Sequence, residues 1–379
     1  MNGRLTRRDL LRRGAAGGAL LSLPALFGAS DALAAALGSE AGKLTISNWP
    51  LYIDYDVKTK KRPTIEQFQK KTGIKVNYIE DINDNSTFFG KIQGGLTHGQ
   101  STGRDVIVMT DNSRYPSLLI KKGWVEKLDK SVLPNIKNLV STLQHPAWDP
   151  KREYSLPWQS GMTGIAYNAK QTKPVTTIDQ LLTDKKLHGK VTLLSEMADA
   201  TGLVMLSNGD DPGKVTDASF DRAFKKIEKA VKSGQVRQFT GNDYAQLMSK
   251  GDVTAAMAWS GDVVQLHADN KNLQFNLPKH GGMIWTDNML IPKGGNAYGA
   301  SVFMNFVYDP KIAAQIEDYV NYICPVVGAD KVLLKTDPEV AKDTLIFPTA
   351  AMRAKLHQYD PTALFNVDYA TRWQKLLGA

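Results

Sequence analysis

Two short segments place an indole within three residues of a carboxylate: Trp259-Ser260-Gly261-Asp262 and Trp285-Thr286-Asp287-Asn288. A third, Asn48-Trp49-Pro50-Leu51-Tyr52, sets an indole beside a phenol. An aromatic face attracts an ammonium group and covers its methylenes. A carboxylate next to it neutralises the charge through short, charge-assisted hydrogen bonds. These residue types at this spacing suit an organic cation. All three tryptophans are expected at strand ends, and open α/β sheets bind ligands beyond the carboxyl ends of their strands. Two other readings stay open. Each tryptophan taken singly also reads as a core or hinge-packing residue. Asp262 and Asp287 could form the acid/base pair of a secreted hydrolase beside aromatic sugar platforms, although no G-x-S-x-G elbow or metal motif supports it.

Positioning such residues calls for α/β units. Residues 43–49 read as a strand. Pro63 starts and Gly73 ends a helix over Pro63–Thr72, with Ile65 and Phe68 as its apolar face. A strand at 74–79, a helix near 88–96 and a strand at 105–109 continue a parallel β-α-β pattern. The alternation restarts after Pro157. Val191–Leu194 reads as a buried strand, and 217–234 as a helix with Phe220, Phe224, Ile227 and Val231 on one stripe. Residues 253–259 and 284–291 are extended. Asp309-Pro310 caps a helix with Ile312, Ile316, Tyr319, Val320 and Ile323 inward. No internal repeat or linker separates the halves. This predicts two α/β lobes whose chain crosses between them more than once, leaving a cleft.

The N-terminus predicts where the chain works. Thr6-Arg7-Arg8-Asp9-Leu10-Leu11-Arg12 has the form of a twin-arginine export signal, residues 14–26 are apolar and rich in Gly and Ala, and Ala32-Leu33-Ala34 offers small residues at a peptidase site. The apolar stretch is shorter than the ~20 residues of a spanning helix. The expectation is a cleaved peptide over 1–34 and a periplasmic, monomeric mature chain beginning close to Ala35, with no stable membrane insertion. Of the 379 residues, enough remain for two lobes. A third of the +9 formal charge leaves with the peptide. The densest basic run, Lys58-Thr59-Lys60-Lys61-Arg62, reads as a solvated loop rather than a nucleic-acid site. The single cysteine, Cys324, excludes an internal disulfide and lies far from the cleavage point, so no lipid anchor is expected; it reads as a small core residue. The six histidines show no metal-binding spacing, so neither metal nor cofactor is expected.

Several longer blocks carry a resemblance. They are Asn48-Trp49-x-x-Tyr52; Ile65-Glu66-Gln67-Phe68-x-Lys70-x-Thr72-Gly73-Ile74-Lys75-Val76; Asp105-Val106-Ile107-Val108; Lys122-Gly123-Trp124-Val125-Glu126-Lys127-Leu128-Asp129-Lys130; and Tyr154-Ser155-Leu156-Pro157-Trp158. The most specific are Ala256-Met257-Ala258-Trp259-Ser260-Gly261-Asp262 and Gly281-Gly282-Met283-Ile284-Trp285-Thr286-Asp287-Asn288-Met289-Leu290-Ile291-Pro292. Over nearly the whole mature chain these blocks resemble the polyamine (spermidine/putrescine)-binding proteins of ABC importers. The resemblance implies a two-lobed periplasmic binding protein fold of type II, each lobe a central β-sheet flanked by helices, with the ligand cleft between them. Lobe 1 would comprise 43–157 plus 286–330, and lobe 2 158–285 plus 331–379, with hinges near Pro157-Trp158 and Trp285-Thr286.

The resemblance further implies an aromatic box of Trp49, Tyr52, Trp259 and Trp285, with Asp262 and Asp287 pairing amino groups and Thr110 lining the pocket. Asn48, Asp84, Glu196 and Asp199 are further candidates. The protein would bind without catalysis and deliver its ligand to permease subunits by hinge closure. This chain departs from the family in places. Leu51 stands where relatives often carry a carboxylate, Asn112 stands at an aromatic position, and Met197 and Ala200 fall on acidic positions, unless the local register brings Glu196 or Asp199 there. With two supported acids, a third ammonium would be buried unpaired. The expectation is therefore that putrescine competes well with spermidine and that spermine binds worst. Another organic amine or an amino acid derivative is the alternative ligand.

Overall fold

The computed structural model describes residues 42–378, so the export segment at 1–34 lies outside the described residues. β1 (Lys43–Asn48) leads to α1 (Pro63–Thr72), β2 (Lys75–Glu80), α2 (Asn85–Thr97), β3 (Val106–Thr110) and α3 (Tyr115–Lys121). α1 has the boundaries read from sequence: proline stands in its first turn, Gly73 closes it at a φ of 76°, and Ile65 and Phe68 are buried. β1 pairs in parallel with both β2 and β3. Parallel neighbours need a long crossover, and here α1 and α2 provide it.

β4 (Ser155–Asn168) is fourteen residues long and buried throughout. Its register against a later strand shifts between Pro157 and Gln159, because proline brings no N–H to a ladder and is accommodated at a bulge. A second parallel unit follows: α4 (Ile178–Thr183), β5 (Val191–Leu194), α5 (Met197–Asn208), α6 (Asp217–Lys232), β6 (Val236–Thr240), α7 (Tyr244–Lys250) and β7 (Ala255–Trp259). β5 pairs in parallel with β6 and β7. α6 buries Phe220, Phe224 and Ile227 on its apolar stripe. α8 (Ser260–Asp269) starts directly at the end of β7, and β8 (Leu273–Asn276) and β9 (Gly282–Leu290) come next. The remaining α-helices and strands are α9 (Ala297–Val307), α10 (Pro310–Val320), α11 (Ala329–Thr336), α12 (Pro338–Lys342), α13 (Ala350–Arg353), β10 (Leu356–His357) and α14 (Val367–Leu377).

The strands form one hydrogen-bonded path, β2-β1-β3-β9-β4-β7-β5-β6, with β8 on β4 and β10 on β9. Its two ends are parallel, as the alternation requires. Its middle is antiparallel, because β9 and β4 run against each other and against their outer neighbours β3 and β7. β4 escaped the sequence reading because a strand buried on both faces has no polar alternation to read.

Two expectations are corrected here. Trp285 and Asp287 lie inside β9 rather than at a strand end. Two residues apart in a strand, their side chains project to the same face. The helix at Pro310 stops at Val320, where Asn321 turns to a φ of 58°, so Ile323 lies beyond it, bridged to Ser160. Cys324 is buried and unpaired. The basic run is tied into the surface, with Lys61 paired to Glu66 and Arg62 to Glu80. Among the described residues no helix is long and apolar enough to cross a membrane, and no cluster of ligating side chains is placed to hold a metal ion.

Candidate binding site

A cavity with about 350 Å³ of empty space, open solvent at its mouth included, is lined by Trp49, Pro50, Tyr52, Thr110, Asn112, Glu196, Asp199, Asn242, Trp259, Asp262, Trp285, Asp287 and Tyr322. The strands explain the convergence. Trp49 directly follows β1, Thr110 ends β3, Trp259 ends β7, and Trp285 with Asp287 face inward from the middle of β9. β3 and β9 are registered so that Thr110 lies opposite Asp287.

The aromatic residues form a continuous wall of edge and tilted contacts. Ring centroids are 5.8 Å apart for Trp49 and Trp259, 6.0 Å for Trp259 and Trp285, 5.7 Å for Trp285 and Tyr322, and 5.0 Å for Tyr322 and Tyr52. Each indole is held by its N–H. Trp49 donates to the Val108 carbonyl at 3.2 Å, Trp259 to Asp199 Oδ2 at 3.2 Å, and Trp285 to Thr163 Oγ1 at 2.9 Å. Two tryptophans outside the cavity brace it from behind. Trp158 donates to the Tyr52 carbonyl at 3.2 Å, and Trp373 to the carbonyl of Ser195, the residue before Glu196, at 2.7 Å.

Four carboxylates share the cavity, and among the described residues neutral groups alone donate the hydrogen bonds that hold them. Asp287 accepts from the Thr110 and Tyr52 hydroxyls, both at 2.7 Å. Asp262 accepts from the Tyr244 hydroxyl at 2.7 Å, the Tyr322 hydroxyl at 2.8 Å and Asn242 Nδ2 at 2.6 Å. Asp199 accepts from the Thr163 hydroxyl at 2.7 Å as well as from Trp259. Glu196 accepts through Oε1 from the backbone N–H and Nδ2 of Asn85, at 2.8 and 2.7 Å. Among the described residues no lysine, arginine or histidine lines the cavity. Burial therefore dominates, pushing Glu196 up to about 8, Asp287 to about 7, and Asp199 and Asp262 to about 6. Burial and the neighbouring acids raise the phenols of Tyr52, Tyr244 and Tyr322 as well, so they stay protonated and donate.

The structure brings together Trp49, Tyr52, Thr110, Trp259, Asp262, Trp285 and Asp287, and adds Glu196 and Asp199 to them. Asn48 and Asp84 stand apart from the lining. Asn48 is buried and accepts from the Trp49 N–H, while Asp84 caps α2 through the Thr87 N–H. The premise of two acids is overturned. Glu196 stands at the N-cap position of α5 in extended backbone and Asp199 in the first turn, and both line the cavity; Met197 and Ala200 are absent from the lining. Sequence reasoning also missed Tyr322, Asn242 and Pro50. Tyr322 follows the left-handed turn at Asn321, and only the tertiary contact with Asp262 reveals it.

Residues 64–348 match the family model described as bacterial extracellular solute-binding protein. The chain belongs to that family. This solute-binding protein is 30% identical over 352 residues to the putrescine-binding periplasmic protein SpuD of Pseudomonas aeruginosa, spanning 88% of this chain and 91% of the relative. It is 28% identical over 346 residues to the spermidine/putrescine-binding periplasmic protein of Salmonella typhimurium, spanning 91% and 94%. Among solved structures it superposes on a candidate spermidine/putrescine ABC transporter from Listeria monocytogenes with a TM-score of 0.75 and 29% identity, over 89% of this chain and 98% of that one. The two-lobed class expected from sequence is thus the fold class of its neighbours.

Proposed function

We propose that this protein is the extracytoplasmic binding component of an ABC importer and that it holds a polyamine in this cavity without catalysing a reaction. The four buried carboxylates carry the reading: among the described residues neutral donors alone bond them, and no basic side chain lines the cavity. A buried acid without a counter-charge is costly, and an ammonium group relieves that cost. The aromatic wall covers the methylenes between ammonium groups. With four acids, all three ammonium groups of spermidine have a partner, so spermidine binds at least as tightly as putrescine. An amino acid derivative would bring a carboxylate that the cavity has no cation to receive.

Two lobes on either side of the cavity would suit this reading. β4 and β9 would be the crossing strands, and the bulge at Pro157 would be one hinge. The relatives named above support periplasmic location and delivery to permease subunits. The twin-arginine segment supports export and cleavage near Ala35, which N-terminal sequencing of exported protein checks. Calorimetry of the mature chain with spermidine, putrescine, spermine and a neutral polyol tests the ligand class. Saturable binding of the polyamines alone is expected. No binding, or equal binding of the polyol, would reject the reading.

A further inference from the structure

β2 and β6 are the two outermost strands of the sheet path, yet the loops that leave them touch. The Asn242 N–H donates to the Asn83 carbonyl at 3.2 Å, and Asn83 Nδ2 donates to Asp243 Oδ1 at 3.4 Å. Between these contacts sits Gly241. A Cβ there would stand 2.2 Å from the Asn83 carbonyl oxygen and 2.7 Å from its Nδ2, so the approach is closed to any residue with a side chain.

Each loop also holds acids of the cavity. Two residues after Asn83, Asn85 bonds Glu196 with its backbone N–H and its Nδ2. The same Nδ2 lies 3.0 Å from Thr110 Oγ1, which donates in turn to Asp287. In the other loop Asn242 bonds Asp262 through its side chain while its backbone makes the contact between loops. We propose that this loop contact is a clasp, and that Asn85 and Asn242 are positioning residues through which closing the clasp seats Glu196, Asp287 and Asp262 around the ligand.

The proposal rests on the reading of the cavity as a cation site and deepens it. Separating the loops removes both donors that Asn85 gives Glu196, because Asn85 follows β2 and Glu196 follows β5, in the opposite half of the sheet path. A cation that pairs with the seated acids gains most in the clasped form, and so shifts the population toward it. Trp49 and Trp259 meet across the same divide, so tryptophan emission reports closing.

Gly241→Ala tests the coupling, because it adds one methyl at the clasp and alters no lining residue. Spermidine affinity should fall roughly tenfold or more, the ligand-induced change in tryptophan emission should shrink, and the melting temperature of the ligand-free protein should hold. Asn85→Ala should lose the same emission change, and Asn85→Ser, which keeps a donor, should restore part of it. The contact itself is tested with Asn83→Cys/Asp243→Cys and a short bis-maleimide, Cys324 being buried. Cross-linking should be faster with spermidine than without. No cross-link in either condition, or wild-type affinity in Gly241→Ala, would overturn the clasp. A pair that cross-links in a protein indifferent to every polyamine would uphold the clasp and reject the cation reading instead.

Discussion

At Asp287, two neutral hydroxyls hold the carboxylate and neither cancels its charge. Asp287→Asn keeps the size of the side chain, and its amide can still bond both hydroxyls, so the fold should survive. A bound ammonium would lose its counter-charge, and truncating a buried pair of this kind costs ~2–5 kcal/mol. Calorimetry on the two proteins checks this, and equal affinities would remove Asp287 from the site. Glu196 and Asp199 show how narrow the margin is at this scale. Each step along a helix turns the side chain by about 100°. A one-residue error therefore replaced two acids by Met197 and Ala200, and halved the charge expected in the cavity.

Among the elements, the junction of β7 and α8 leaves no room for a side chain. Gly261 lies in the first turn of α8, and a Cβ there would stand 2.2 Å from the Tyr322 ring. Tyr322 completes the aromatic wall and donates to Asp262. Gly261→Ala should therefore displace the ring, loosen Asp262 and weaken the ligand, with a stability loss of ~1–3 kcal/mol from overpacking. Thermal melts and binding titrations measure both. A variant unchanged in each would mean that the ring has room to move. α5 explains why part of the site was hidden. It is buried on nearly every side, so it lacks the one-sided apolar stripe that marks a surface helix, and its first turn read only as an acidic stretch.

For the molecule as a whole, the raised acids set a pH dependence. A carboxyl whose folded pKa lies above its unfolded value costs nothing while it stays protonated. It destabilises the ligand-free fold progressively as pH rises through that interval. The window runs from about pH 4, the unfolded value, to about 8 for Glu196, with Asp287 at about 7 and Asp199 and Asp262 at about 6 inside it. The ligand-free protein should lose stability across this window. Polyamine affinity should do the reverse and rise with pH, because the cation favours the ionised acids. Binding near neutral pH should then release roughly one proton or more, which calorimetry in buffers of different ionisation enthalpy detects. A ligand-free melting temperature that climbs between pH 5 and 8 would contradict the electrostatics of the cavity.

The sequence by itself determined the α/β class, the α1 boundaries, the tryptophan–aspartate pairs and the family resemblance. Each of these is written in local signals: a proline and a glycine at helix ends, strand–helix alternation, and indoles beside acids. The tertiary structure alone decided the count of acids and their partners. It placed Trp285 and Asp287 inside a long antiparallel strand, turned Glu196 and Asp199 inward, and brought Tyr322, Asn85 and Asn242 to carboxylates tens to more than a hundred residues away in some cases. Those contacts depend on strand register and helix rotation, where a shift of one residue moves every side chain to another face.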